Sequence, residues 1–455
     1  MENQNHSTAG SFIHEVFSAL DEAAIGYCLL REYDDVAVSK GKIEIDLLAN
    51  PNDLPMLPSI LASKGFVRLP SWGYAPHHFF VAYDEWRGCW VKLDVVTALR
   101  YGRPIRKFDV DLAETCLRER QHKIPHTLSP ENEFITLLLH CLLDKGEFRI
   151  EHRERLRSLR KSAGRDLTVK RRVIEYIDRY SNFSWDDIEQ AIDHEDWDYL
   201  LCRQAAVVRQ LRGSRPITST WRDLSTRLVR TLRPLLFAIS RRGVSVALLA
   251  PDGAGKTTLS RELARDNYLR ARVVYMGTNT DSASISLPTT KWLKEHVKSH
   301  RSSKLSLPLI AFKGLGFGSR VAEQWYRCGM AFYHRLRGRF VVFDRYVYDS
   351  FLAPQARTFG KRLRRWLIEN TCPSPDLVIV LDAPGRVLYE RKGEHTPERL
   401  EQQRQVYLGL KQKVSNMTVV DASRGADEVR RQVISLIWNC YADRVEGPRR
   451  NGAHC

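Results

Sequence analysis

Apolar and polar positions in the first hundred residues fall in the short runs and alternations of a small α/β unit. A helical stretch over 11–24 precedes an apolar strand at 27–30 and a second strand at 43–49. A helix over 54–64 and two strand-like runs, 79–83 and 90–96, complete the unit. Residues 130–210 carry helical spacing, dense in Phe134-Ile135-Thr136-Leu137-Leu138-Leu139 and again around 173–180. Gly213-Ser214-Arg215-Pro216 is a break, and 221–240 reads as an amphipathic basic helix kinked at Pro234. From 243 to about 443 strands alternate with helical patterns, the signature of a doubly wound parallel sheet. The pattern divides the chain into an α/β domain at 1–120, a helical domain at 121–212 and a connector helix at 213–242. An α/β domain at 243–443 and a loose tail at 444–455 follow.

Composition narrows the class. A 43% hydrophobic and 10% aromatic content supports packed cores and excludes global disorder. Lys and Arg outnumber Asp and Glu by 71 to 54, and the net charge of +17 favours anionic partners without choosing among nucleotides, nucleic acid and an acidic membrane face. Nine cysteines stand scattered with no C-x-x-C, as in a reduced cytosolic protein. The first residues lack the basic and apolar regions of a signal peptide, and no apolar run is long enough to span a bilayer. These features predict a cytoplasmic protein, with peripheral membrane contact open.

The densest chemistry lies at 244–259, V-S-V-A-L-L-A-P-D-G-A-G-K-T-T-L. An apolar strand runs into a glycine turn and then a helix. Gly253 and Gly255 let backbone N–H groups turn inward around an anion. Asp252, Gly253, Ala254, Gly255, Lys256, Thr257 and Thr258 form the nucleotide-binding set. Lys256 reaches the β- and γ-phosphates, and Thr257 sets its hydroxyl on Mg²⁺. The helix start adds its positive end. The first glycine of the usual G-x-x-x-x-G-K-[ST] pattern is Ala250 here.

A second apolar strand, 339–343, ends in Asp344-Arg345-Tyr346. A carboxylate there suits Mg²⁺, and Arg345 after it suits bidentate grip of an acceptor phosphate. A third strand, 375–382, leads to a basic segment in which Thr396-Pro397-Glu398 has the marks of a helix start. Arg391, Lys392, Arg399 and Arg404 are candidates for a lid over the phosphates, Arg391 with a catalytic role. Together these segments resemble the thymidylate kinase family over about 243–442. The resemblance implies a P-loop nucleoside monophosphate kinase fold, ATP as donor and Mg²⁺ as cofactor. By position it puts Lys256 and Thr257 on ATP and metal, Asp252 near the acceptor sugar and Arg345 on the acceptor phosphate. Two departures fall on the acceptor side. Leu249 stands where the family carries Glu, and 274–280 lacks its Arg-Glu-Pro-Gly-Gly-Thr stretch. The acceptor is therefore left open between dTMP and a glycan or lipid-linked anion.

In the first unit, Ile43-Glu44-Ile45-Asp46 puts two carboxylates on one face of a strand, and Asp94 sits in another strand-like run. Three such acids on neighbouring strands suit two Mg²⁺ ions for nucleotidyl transfer. The arrangement resembles the polymerase-β-like nucleotidyltransferase superfamily, in particular small bacterial members followed by a helical domain, over about 10–210. Leu29-Leu30-Arg31-Glu32 replaces its Gly-Ser turn, and the first acid is Glu44 rather than Asp. His77, His78 and His140 read as structural. Between Arg203 and Arg242 stand ten arginines, no lysine and one acid, Asp223. Trp221, Leu224, Leu228, Leu232 and Leu235 form an apolar stripe there, suited to packing on a domain, to an anionic membrane through 221–242, or to a phosphate backbone.

The leading expectation is an ATP-dependent phosphotransferase whose first domain binds or modifies the acceptor. Nucleotidyl transfer as the principal activity, or an ATP-switched regulatory protein holding nucleic acid or membrane, are the alternatives. Oligomeric state is not encoded in these patterns.

Overall fold

The computed structural model describes residues 9–31, 41–102, 108–181, 183–214, 216–240, 243–277, 307–352, 362–363, 366–367 and 372–446. Two compact units divide the chain, Met1–Arg233 and Pro234–Cys455. The expected loose tail beyond 446, and positions 278–280 of the expected acceptor stretch, lie outside the described residues.

The first unit is built on a mixed five-stranded sheet of order β1-β2-β5-β4-β3. Its strands are β1 (Tyr27–Leu29), β2 (Lys42–Ala49), β3 (Val67–Leu69), β4 (His77–Asp84) and β5 (Cys89–Val96). In β2 the side chains alternate as the pleat requires. Ile43, Ile45 and Leu47 are buried, while Glu44 and Asp46 face outward. The apolar face packs on α1 (Ala9–Glu22) and α2 (Leu57–Ser63) through Ile13, Phe17, Leu20, Leu57 and Leu61. β2 and β5 are parallel, with Asp46 in register with Asp94.

A small hairpin, β6 (Leu99–Tyr101) and β7 (Phe108–Val110), leads through α3 (Ala113–Arg118) to the helices. The helix α4 (Pro130–Leu139) is buried on every side, which its unbroken apolar run demands. It passes directly into a π-helical turn, His140–Lys145, closed by Gly146 in the left-handed region at φ 68°. The helices α5 (Ile150–Arg165), α6 (Leu167–Tyr180), α7 (Trp185–Asp193), α8 (Trp197–Cys202) and α9 (Gln204–Ser214) pack around α4 in one core. The next helix, α10 (Pro216–Ser240), runs unbroken through Pro234, and the boundary between the units falls inside it.

The second unit is an α/β fold on five parallel strands of order β12-β11-β8-β10-β9. These are β8 (Ser245–Leu249), β9 (Arg272–Tyr275), β10 (Val341–Asp344), β11 (Leu377–Asp382) and β12 (Met417–Asp421). β8 is buried along its whole length, as expected of a central strand covered on both faces. The chain leaves β8 for β9 and β10 on one side and then crosses to β11 and β12 on the other. That reversal opens a crevice beyond the carboxyl end of β8, the position where open α/β sheets take ligands.

Candidate functional site

At the end of β8 the chain turns through Ala250–Gly255 into α11 (Lys256–Arg265). Gly253 and Gly255 sit at φ 91° and 85°, a region that costs any residue with a Cβ. A Cβ on Gly253 would also lie 2.6 Å from the Leu388 carbonyl oxygen, so this glycine is required twice. Ala254 is buried, while Thr257 and Thr258 are exposed at the helix start. Lys256 is buried, and its Nζ donates to the Ala250 and Pro251 carbonyls at 2.6 and 2.9 Å. Burial, helped by the charge of Arg345, pulls its pKa down to about 8.

The parallel register sets Asp344, the last residue of β10, beside Leu248 of β8. Its carboxylate is buried and forms no hydrogen bond among the described residues. Desolvation raises its pKa, against the pull of Lys256 and Arg345. The next residue, Arg345, takes φ 66°, which turns its side chain back toward the loop. Its Nη2 donates to Asp252 at 2.7 Å and its Nη1 to Asp349 at 3.2 Å. Tyr407 holds the other Asp349 oxygen at 2.9 Å. These pairs are partly exposed and contribute little stability, roughly 0–1 kcal/mol each. Their consequence is positional: the guanidinium is fixed across the loop from Lys256.

The basic segment separates into roles. Thr396 caps α14 (Pro397–Gly409) by accepting from the Arg399 N–H, and Pro397 opens the helix. Arg391, near the end of α13 (Gly385–Lys392), donates to the Ala422 and Ser423 carbonyls at 2.7 and 3.3 Å. Arg404 forms a bidentate pair with Asp382 at 2.6 and 2.9 Å. Lys392 pairs with Glu394 at 2.9 Å, and Arg399 is exposed. The structure thus brings Asp252, Lys256, Asp344 and Arg345 together, and directs Arg391 and Arg404 to partners elsewhere.

Several neighbours carry no sequence motif. On α12 (Leu307–Leu336), fully buried Arg327 pairs with Glu323 and donates to the Tyr275 and Gly277 carbonyls at 3.0 and 3.1 Å. Gln324 holds the Met276 carbonyl at 3.0 Å. A Cβ on Gly277 would lie 2.4 Å from the Tyr275 hydroxyl and 2.9 Å from Arg345 Cδ, so this backbone lies against the arginine. Asp349 and Glu323 each stand four residues from their arginine, a spacing that sequence reasoning can use. Gln324 and Tyr407 act across the fold and leave no local signal.

Glu44, Asp46 and Asp94 lie on the polar side of the first unit's sheet, each against a basic or imidazole side chain of the chain. Arg31 Nη2 meets Asp46 at 2.9 Å, His77 Nδ1 meets Asp94 at 2.5 Å, and Lys92 Nζ meets Glu44 at 3.2 Å. Among the described residues no three His, Cys, Asp or Glu side chains gather as a metal ion requires.

No family model matches the chain. A thymidylate kinase of Xanthomonas euvesicatoria pv. vesicatoria is 30% identical over 215 residues, covering 45% of this chain and 88% of that protein. This chain belongs to the thymidylate kinase family. A probable thymidylate kinase of Archaeoglobus fulgidus is 35% identical over 105 residues, 22% of this chain and 54% of that one. Among solved structures, the thymidylate kinase of Candida albicans aligns with 43% of this chain and 91% of its own, at 19% identity and TM-score 0.31. Membership makes the chain a kinase, a phosphotransferase of the nucleoside monophosphate kinase type. The thymidylate kinase match leaves more than half of the chain uncovered. Among the described residues no helix is long and apolar enough to cross a membrane.

Proposed function

We propose that the second unit moves the γ-phosphoryl group of ATP to the phosphate of an anionic acceptor, a nucleoside monophosphate first of all. The observation that carries this reading is Arg345, fixed by Asp252 and Asp349 at the crevice and facing the loop of Lys256. The relatives' name, thymidylate kinase, makes dTMP the first acceptor to test. Leu249 is wholly buried in β8, so the acceptor-side acid expected from the family has no counterpart there. Gly277 lies against Arg345 on that side, its carbonyl held by buried Arg327.

The residues present fit the donor. Backbone N–H groups at Gly253–Thr257 and the start of α11 cradle the phosphates, in a turn where a Cβ at Gly253 has no room. Thr257, exposed, and Asp344, buried and with its carboxylate free of any hydrogen bond among the described residues, are the groups that would hold Mg²⁺. Held there, the ion would neutralise part of the charge on the phosphates. Lys256 leaves the Ala250 and Pro251 carbonyls and turns its ammonium to the phosphates. Arg345 orients the acceptor phosphate, with Asp252 and Asp349 holding its fork. Lys392 and Arg399 act as lid cations, while Arg391 and Arg404 position the lid through Ala422, Ser423 and Asp382. The first unit, whose Glu44, Asp46 and Asp94 carry the resemblance to nucleotidyltransferases, serves as the module that handles the acceptor.

ADP release from Mg·ATP, measured with a panel of nucleoside monophosphates and phosphorylated sugars, tests the reading, with Lys256→Ala as the blank. Arg345→Ala lowers kcat/KM for the acceptor by roughly a hundredfold or more, the worth of a charge-assisted bidentate contact, while ATP affinity stays within about threefold. Equal loss of ATP affinity sinks the assignment of Arg345.

A second reading, peripheral membrane contact, is favoured by one observation. Trp221, Leu224 and Leu228 on basic α10 are 68%, 63% and 59% exposed. Pelleting with vesicles rich in anionic lipid at low salt checks it. Retention that salt reverses supports contact, and protein left in the supernatant ends the idea.

A further inference from the structure

The first unit contains a polar cleft of about 200 Å³, apart from the Lys256 loop and Arg345 described above. Its floor is the outward face of β2 and β5, where Asp46 lies beside Asp94. Its wall is the π-helical turn, contributing His140, Asp144 and Lys145. Turns of this kind are rare and recur at functional sites. The floor acids already have partners in the chain, Asp46 in Arg31 and Asp94 in the His77 ring and Lys92, so a ligand does not meet bare carboxylates.

The wall holds the decisive group. His140 is 5% exposed, and its Nδ1 lies 3.1 Å from Asp144 Oδ2. Asp144 Oδ1 accepts from the Gly102 N–H at 2.8 Å. A carboxylate only accepts, so Nδ1 carries the imidazole proton and Nε2 keeps a lone pair. Desolvation drives the His140 pKa down to about 3, which keeps the ring neutral. Nε2 is buried and has no partner among the described residues. An empty buried acceptor is costly, and a donor from a ligand would relieve it. A phosphate brings further lone pairs against Nε2. An ammonium brings a donor but is repelled by Arg31 and Lys145. A hydroxyl donates to Nε2 and accepts from the neighbouring cations at once.

We propose that this cleft binds an uncharged ring rich in hydroxyl groups, without a metal ion, one hydroxyl donating to His140 Nε2 and others bonding Arg31 and Asp46. The shared chemistry is that of free sugars and of nucleoside ribose. The proposal stands apart from the kinase reading and survives its failure.

Saturation-transfer NMR on the full-length protein in EDTA, with unphosphorylated hexoses in one arm and nucleosides in the other, tests it and separates the two sources. At least one class binds, and adding Mg²⁺ changes its Kd by less than about twofold. His140→Asn keeps a donor for Asp144 and deletes the Nε2 acceptor, and weakens binding about tenfold or more, the worth of one good hydrogen bond. His140→Gln restores an acceptor at that reach and recovers most of the affinity. Long-range ¹H–¹⁵N histidine spectra of the unmutated protein need no variant to fold. There the Nε2 resonance, unprotonated in the free protein, moves on saturation with the bound ring. No binding in either arm, binding that requires Mg²⁺, equal affinity in His140→Asn, or an unmoved Nε2 would each overturn the proposal.

Discussion

Lys256 begins each cycle buried, with its ammonium on two backbone carbonyls. Its pKa of about 8 in the folded protein lies below the value near 10.4 of a free lysine. Between these limits the unfolded chain binds more protons, so the cost of burying a charged Lys256 fades and stability rises with pH. Phosphate binding runs the other way, because the neutral amine attracts no anion. Calorimetric titration should give a Kd for Mg·ATP that is level from pH 7 to about 8 and then weakens, by up to tenfold per pH unit. Lys256→Arg, whose charge does not titrate, should show no such bend. A level profile in the parent protein would mean that Lys256 is not desolvated in solution. The place of Lys256 was readable from the two glycines before it. Its burial was not, because the partners are carbonyl oxygens that no residue type announces. Arg345 shows the same division. Its position follows from the strand that ends at Asp344, whereas Tyr407, which fixes Asp349 from a distant helix, has no trace near Arg345 in the sequence.

Among the elements, the loop between β8 and α11 separates two uses of glycine. Gly255→Ala meets open space and carries only the left-handed backbone cost, about 1 kcal/mol. Gly253→Ala adds a collision with the Leu388 carbonyl of α13, and should lose about 2–3 kcal/mol in urea denaturation. Equal losses for the two would show that α13 yields freely. Long strands and capped helices were legible because their signals are local. Thr396-Pro397 marks the start of α14 at the residue observed, and the runs at 43–49 and 90–96 fall within β2 and β5. The strands β3, β6 and β7 have three residues each, too few for a period to show. The π-helical turn continues the apolar pattern of α4 and is silent for that reason. Charge runs were the least informative. Arg404, one of four basic residues grouped as a lid, spends both arms of its fork on Asp382 across the fold.

At the scale of the whole molecule, each unit closes its own core, one around Ile43, Ile45 and Leu93, the other around Leu249, Val341 and Val380. A ligand that binds only the folded form adds about 2.7 kcal/mol at a hundred times its Kd. Hydrogen exchange with saturating Mg·ATP should therefore slow in β8, α11 and β10 while β2 and β5 keep their rates. Slowing in β2 and β5 would reveal coupling between the two units. Sequence patterns told α/β from all-helical stretches along the chain, and they set 213–242 apart as a connector, within which the boundary between the compact units falls. That stretch has a further property. Its positive charge rests wholly on guanidinium groups, with no lysine from Arg203 to Arg242. Guanidinium stays protonated at every pH a cell reaches, and acetylation, which targets lysine amines, has nothing there to neutralise. The field of this helix is thus closed to that modification, while ionic strength, with its Debye length of about 8 Å at physiological salt, tunes its reach.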